Sequence, residues 1–361
     1  MKLKGCYFYL ILTAFFMAGC SDDNDVNVET IDLPGFYVCS EGVMGQLNSS
    51  SLSFYSFADN DLFFDCFSRI NKSPVGDTPN QLARYGNKMY CVVTGSGVIH
   101  VFDARTGKSV KQIDMKTGSG ASKYPRAIAF YEGKAYVCSF DNTVCRIDTV
   151  TLAVDATLNV GNNPDGICVA NKKLYVSNSG PYTAYDNTVS VIDPDTFTEI
   201  KKITVTVNPG KMMADQYGDV YLISKGDYVN VLQSCFQRIN SDTDQLVYTS
   251  DFSASNFTID DNSAYIYSYD YDNSGNVVNQ KILVYNVKDE KIETENFITD
   301  GTTVNIPYAI SVHPQTKDIF IADVTNYTAK ADILQFGSDG KLKNKITDVG
   351  INPNSIVFVE K

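Results

Sequence analysis

The chain has no tryptophan and only two histidines among its 361 residues, His100 and His313. His100 alternates within Val98-Ile-His-Val-Phe102 and His313 precedes Pro314 at a turn, so neither has a nucleophile or carboxylate partner suggested by spacing. No Gly-x-Ser-x-Gly elbow occurs, which removes the usual signature of a serine hydrolase. No Cys-x-x-Cys or Cys/His spacing suggests a metal centre. Asp270-Tyr-Asp272-Asn-Ser274-Gly275 opens like a calcium loop, but Lys281 stands where the bidentate glutamate belongs, and a polar hairpin turn explains it better. Basic residues are also in deficit. Thirty Lys and Arg against 42 Asp and Glu give a net charge of −12, a field that repels phosphate backbones and disfavours nucleic acid as a partner. These absences argue for a protein that is not an enzyme and needs no metal or cofactor.

Cysteine is present in an uninformative number for pairing. Of nine cysteines, Cys6 and Cys20 lie near the N-terminus, and Cys39, Cys66, Cys91, Cys138, Cys145, Cys168 and Cys235 remain. An odd set cannot fully pair. Several sit in strand-like runs such as Tyr37-Val38-Cys39-Ser40, where cysteine acts as a small buried hydrophobe. Free core thiols are therefore expected, as suits a habitat without oxygen.

The N-terminus reads as an address. Lys2 and Lys4 precede an uninterrupted apolar run, Cys6 to Phe16, too short to span a bilayer and suited to a cleaved export signal. Met17-Ala18-Gly19-Cys20 ends that run and resembles the bacterial lipobox, which implies a signal peptide over 1–19 and lipid attachment at Cys20. Ser21, rather than Asp, follows the cysteine, and the acidic run Asp22-Asp23-Asn24-Asp25 resembles the surface-export signal of lipoproteins in gut-type Gram-negative anaerobes. The expectation is an outer-membrane lipoprotein facing outward, with residues 20–33 as a polar tether and 34–361 as one folded domain.

What is present in abundance is repetition. A unit starting at a proline, running through an apolar segment and a turn, and entering a Tyr/Val-rich strand begins at Pro79, Pro125, Pro164, Pro209, Pro307 and Pro353. The intervals are 46, 39, 45, 98 and 46 residues, the long one holding a copy near Ala254-Ser255 without its proline. A second series of corners, Asp103-Ala-Arg-Thr106, Asp148-Thr-Val-Thr151 and Asp193-Pro-Asp-Thr196, continues at Asn240, Asn286 and Gly337 and begins at Ser56. Asp or Asn followed by Thr is ordinary hairpin chemistry. The two series are out of phase, because the first corner precedes the first proline and the last proline follows the last corner. A four-stranded unit of about 46 residues repeated radially predicts an all-β, seven-bladed β-propeller. Ile356–Val359 should supply the inner strand of a blade whose outer strands come from Gly35 to Ile70, closing the ring and hiding its edges.

In such a ring the loop before each inner strand and the loop between second and third strands share one face. Loops on that face vary most, and binding residues ride on such loops. Around the channel, the residues just after the prolines are Asn80, Arg126, Asp165, Lys211 (after Gly210), Tyr308 and Asn354. The long loops carry Tyr182 and Tyr185, Tyr228, Tyr269 and Tyr271, and Tyr327. Most of the 23 tyrosines should be strand residues, but those on loops offer a stacking face with a hydrogen-bonding tip. Together they predict a concave, mostly neutral pocket for an organic ligand.

At Val189-Ser-Val-Ile-Asp193-Pro-Asp-Thr196, and at Pro164-Asp-Gly-Ile167 with Leu174-Tyr-Val-Ser177, the chain resembles the YncE-like propellers, often labelled surface-layer proteins. With the lipobox and the acidic run, it is similar to the BtuG-type lipoproteins. That resemblance implies a monomeric propeller that captures a corrinoid (vitamin B12) at the cell surface and passes it to a TonB-dependent outer-membrane transporter. It carries no site residue over, because no short motif fixes corrinoid specificity. Glycan or protein binding on the same face is the alternative, and a lactonase-like or lyase-like propeller enzyme is a third.

Overall fold

The computed structural model describes residues 31–46, 48–227, 232–272, 274 and 277–360. Its strands form seven four-stranded antiparallel sheets, the blades of a propeller. The innermost strands are Pro79–Tyr85, Pro125–Tyr131, Pro164–Ala170, Pro209–Ala214, Asn256–Asp260, Pro307–Val312 and Pro353–Val359. Each proline opens an inner strand because its missing N–H is harmless at the first ladder position. The expected copy near Ala254-Ser255 is the strand Asn256–Asp260, which begins without one.

The ring closes as the phase offset predicts. Pro353–Val359 is the innermost strand of a blade completed by Gly35–Ser40, Ser51–Ser56 and Asp61–Phe63. Gly35 lies opposite Val359, Phe36 opposite Phe358 and Val38 opposite Ile356. The corner residues act as turn acceptors. The Asp103 carboxylate accepts from the Thr106 amide at 2.9 Å and its hydroxyl at 3.0 Å, and Asp148 does the same with Thr151.

The core lies between blades. Second strands place aromatics where two sheets face each other, and Tyr37, Tyr90, Tyr136, Tyr175 and Tyr221 are fully buried there. Phe36 and Val38 of the closing blade pack against Phe320 and Ala322 of its neighbour, and Tyr90 and Val92 pack against Ala135 and Val137. The outer strands, by contrast, expose charged residues such as Lys111, Lys201 and Lys345, which discourages edge-to-edge pairing.

Three local expectations are corrected. The closing blade's outer strand stops at Phe63, and Cys66–Asn71 forms a short helix instead. Cys66 and Phe67 turn inward there, with Phe67 5.0 Å from the His100 ring and 5.5 Å from Phe102, so the segment covers the core next to the first blade. Packing also reaches back beyond the expected tether boundary: Ile31 is buried in the same cluster and Asp32 pairs with Arg105. Finally, the expected loop from Tyr269 to Gln280 is largely strand, with one strand running to Tyr271 and the next starting at Val277. Alternating aromatic and polar residues simply continue the ladder there, Asp270 lying opposite Val278. Cys20 and the rest of residues 1–30 lie outside the described residues. Among the described residues no helix is long and apolar enough to cross a membrane.

Phe36 is fully buried, with the rings of Tyr55, Phe57, Phe320 and Phe358 between 5.2 and 5.8 Å away. Phe36→Ala should cost about 3–5 kcal/mol, read as a lowered denaturation midpoint in guanidinium; a loss below about 1 kcal/mol would show that the closing seam does not hold the ring. The seven described cysteines are all buried and unbridged, and burial raises the thiols of Cys138 and Cys168 to about 12. None of these seven should react with a thiol reagent in native buffer, and all should react in denaturant. Rapid native labelling of any of them, identified by peptide mass, contradicts the packing described.

Candidate functional site

A bulge in each proline-led inner strand builds the site. Pro79 pairs with Val93 and Gln81 with Val92, leaving Asn80 opposite nothing. Arg126, Asp165 and Asn354 are skipped in the same way, and the extra residue in the other two strands falls within Gly210–Lys211 and Tyr308–Ala309. A bulge re-aims a side chain, and here the residues re-aimed line an open cavity on the propeller axis of about 530 Å³. Thr78, Tyr124, Asn163, Asn208 and Asn352, each just before one of these prolines, adopt left-handed backbone with φ between 45° and 60°. That turn brings each chain into the inner strand at the cavity mouth.

The polar lining is nearly continuous. Asn80 Nδ2 donates to the Arg126 carbonyl at 2.8 Å. Arg126 Nε donates to Asp165 Oδ1 at 2.8 Å, and Lys225 Nζ donates to the other carboxylate oxygen at 2.8 Å. On the far side Lys211 Nζ donates to Asn256 Oδ1 at 2.8 Å, and Asn256 Nδ2 to the Tyr308 carbonyl at 3.2 Å. The Tyr308 hydroxyl donates to Glu41 at 3.0 Å, and Asn354 Nδ2 donates to Glu41 at 2.8 Å and to the Pro79 carbonyl at 2.8 Å. Gly210 occupies the position after proline that elsewhere bears a long side chain. A Cβ there would lie 3.0 Å from Lys225 Cε and 3.2 Å from Asp165 Oδ2, so glycine leaves room for that ion pair.

Three cations and two carboxylates meet in this space. Burial pushes the Asp165 carboxyl up, but Lys225 and Arg126 outweigh it and hold the group well below the usual carboxylate range. Glu41 goes the other way: burial raises its pKa against the opposing hydrogen bonds from Asn354 and Tyr308. Lys211 is reached by water inside the cavity yet is ringed by protein, and desolvation lowers its pKa to about 8. Ionisable groups pushed in opposite directions within one cleft are what a functional site uses, and they make this cleft the candidate. The Arg126 guanidinium also lies 4.6 Å from the centre of the Phe140 ring, which fixes its plane.

Of the residues predicted from sequence, Asn80, Arg126, Asp165, Lys211, Tyr308, Asn354 and Tyr269 line the cavity together. Tyr182 and Tyr185 do not; they pack on each other at 5.9 Å, with Tyr182 68% exposed. Tyr327 is not part of the lining; it is exposed beside it, 6.3 Å from the Tyr308 ring. Tyr228 and the Tyr271 side chain lie outside the described residues. Charged side chains in the lining are Glu41, Arg126, Asp165, Lys211 and Lys225, and the remaining residues are amides, hydroxyls, tyrosines and aliphatic groups. Sequence reasoning missed Glu41, Lys225 and Tyr267, all of which line the cavity. Glu41 and Lys225 each directly follow a second strand, ending at Ser40 and Ser224. That position was a readable signal, because second strands end on the same face where inner strands begin. Among the described residues no group of three or more metal-ligating side chains forms.

The fold and cavity define a seven-bladed propeller with an axial polar site on its loop face. Residues 34–355 match the family described as "Domain of unknown function (DUF5074)", and the chain belongs to that family. No curated protein matches it. Among solved structures it is similar to a quinonprotein alcohol dehydrogenase-like protein from Bacteroides thetaiotaomicron, at 16% identity and TM-score 0.63, over 91% of this chain and 79% of that one. It is similar also to hydrazine synthase of Kuenenia stuttgartiensis, at 16% identity and TM-score 0.62, over 78% of this chain and 95% of that one. A third is a dihydro-heme d1 dehydrogenase, at 11% identity and TM-score 0.57, over 90% and 75%. At these identities the likeness extends to the fold alone.

The Glu41 cage gives a direct test. Tyr308→Phe removes a donor to the carboxylate, so the Glu41 pKa, already raised, should rise further in a carboxyl-carbon NMR titration. A downward shift would contradict the cage.

Proposed function

We propose that this propeller is a non-enzymatic capture protein that binds a small organic ligand, a corrinoid first, in its axial cavity. The observation that carries the reading is the cavity itself: one open space of about 530 Å³, to which all seven inner strands contribute, on the face that bears the variable loops. Amides, tyrosines and cations line it, a mixture suited to a ligand whose periphery is rich in amide and other polar oxygen groups. A corrin with its side chains exceeds the cavity, so part of it would rest on the rim. Met44, Tyr124, Leu232 and Tyr327 stand exposed on loops of that face and supply apolar contact area. Lipid attachment at Cys20, an outward-facing position on the outer membrane and delivery to a TonB-dependent transporter complete the proposal, resting on the lipobox-like junction and the resemblance to BtuG-type lipoproteins.

Cyanocobalamin mixed with the full-length chain and passed through a desalting column should leave with the protein and colour it pink, and calorimetry should register binding. A colourless protein fraction with no heat would remove the corrinoid from the proposal.

A further inference from the structure

The cavity holds more positive than negative charge in a chain whose net charge is −12. Arg126, Lys211 and Lys225 face Asp165 and Glu41. Asp165 is shared, one carboxylate oxygen to Arg126 and the other to Lys225. Glu41 is engaged by Tyr308 and Asn354 on the opposite side. Lys211 is thus left with an uncharged partner, the Asn256 side-chain oxygen at 2.8 Å, and among the described residues no carboxylate pairs with it. Its ammonium is exposed to the open cavity and carries no counter-charge there, so it is free to meet one brought by a ligand. Gly210, directly before it, lies against Lys225, so two ammonium groups flank a stretch of bare backbone. This is also where the chain of polar contacts around the axis is broken, between the Asp165–Lys225 pair and Lys211.

From this we infer that the cavity recognises an organic anion, with Lys211 as the receptor for a phosphate or carboxylate oxygen of the ligand. The inference deepens the capture reading and rests on that face being the binding face. Lys225 adds a second donor at the same break, and Arg126 is held back by Asp165. Opposite, Asn354 Oδ1 is buried without a hydrogen-bond partner, while its Nδ2 is committed to Glu41 and Pro79. That oxygen is closed off by the surrounding protein, so contact with the ligand's charge falls to Lys211 and Lys225.

The test uses phenyl phosphate as the anionic probe and benzyl alcohol as its neutral counterpart, by calorimetry on the full-length chain. Wild-type protein should bind phenyl phosphate and not benzyl alcohol, and Lys211→Met should weaken phosphate binding at least tenfold, about 1.4 kcal/mol. Lys211→Arg should restore most of the loss. Lys211 is exposed to the cavity and holds one side-chain hydrogen bond, so the melting temperature of Lys211→Met should stay close to that of wild type, which separates loss of binding from loss of folding. In wild type the affinity should fall as pH rises through about 8, where Lys211 loses its proton. Binding unchanged in Lys211→Met, or no heat with phenyl phosphate in wild type, overturns the inference. The two proposals fail separately. Cyanocobalamin held equally by wild type and Lys211→Met would leave capture standing without the anion site, and phosphate binding without cyanocobalamin would do the reverse.

Discussion

Pairing of Gly35–Ser40 with Pro353–Val359 is the constraint on which the rest of the molecule depends. A propeller blade buries both its faces only when it has a neighbour on each side, so an open ring would expose two apolar sheet faces at once. Joining the chain's first strand to its last inside one sheet makes the closing seam a ladder of backbone hydrogen bonds, in addition to side-chain contact. The axial cavity inherits its rigidity from this. Glu41 sits directly after Ser40, and Asn354 directly after Pro353, so the two residues that meet across the cavity lining belong to opposite ends of the sequence. Were the seam to open, that side of the site would come apart with it.

The charge distribution sets the inside of the cavity against the outside of the protein. A strongly acidic surface repels small anions at long range, with a reach of about 10 Å at moderate ionic strength. Within the cavity the balance reverses, and the surrounding protein lowers the local dielectric, so short-range attraction to an ammonium group is stronger than it would be on the outer surface. The arrangement favours ligands that bring a large polar or apolar body along with their charge. Simple ions gain little beyond the local attraction.

Much of the architecture was legible in the sequence because repetition is a one-dimensional record of radial symmetry. Proline spacing located the inner strands, the Asp-x-x-Thr corners located the outer turns, and their phase difference located the seam. The residues after the prolines were legible as channel residues for the same reason. What could not be read depends on non-repeating contacts. Cys66–Asn71 departs from the strand pattern because Phe67 finds a place against His100 and Phe102, thirty-odd residues along the chain. The roles of Glu41 and Lys225 come from partners distant in sequence, Tyr308 and Asn354 for one, Asp165 for the other. Tyr182 and Tyr185 looked like ligand contacts from composition but satisfy each other. Sequence likewise gives the inventory of charges in the pocket without showing that one aspartate serves two cations.

The bulges at the starts of the inner strands have a consequence for how such a molecule can change. A bulged residue stands opposite no partner, so the cross-strand pairs around it do not specify its identity. Six inner strands present such positions toward one space, held by a scaffold whose stability resides elsewhere, in the faces between blades. Recognition and folding are thereby written in separate sets of residues. The bulged positions can vary without breaking a cross-strand pair, and what restrains them is one another, as Asp165 is held by Arg126 and Lys225.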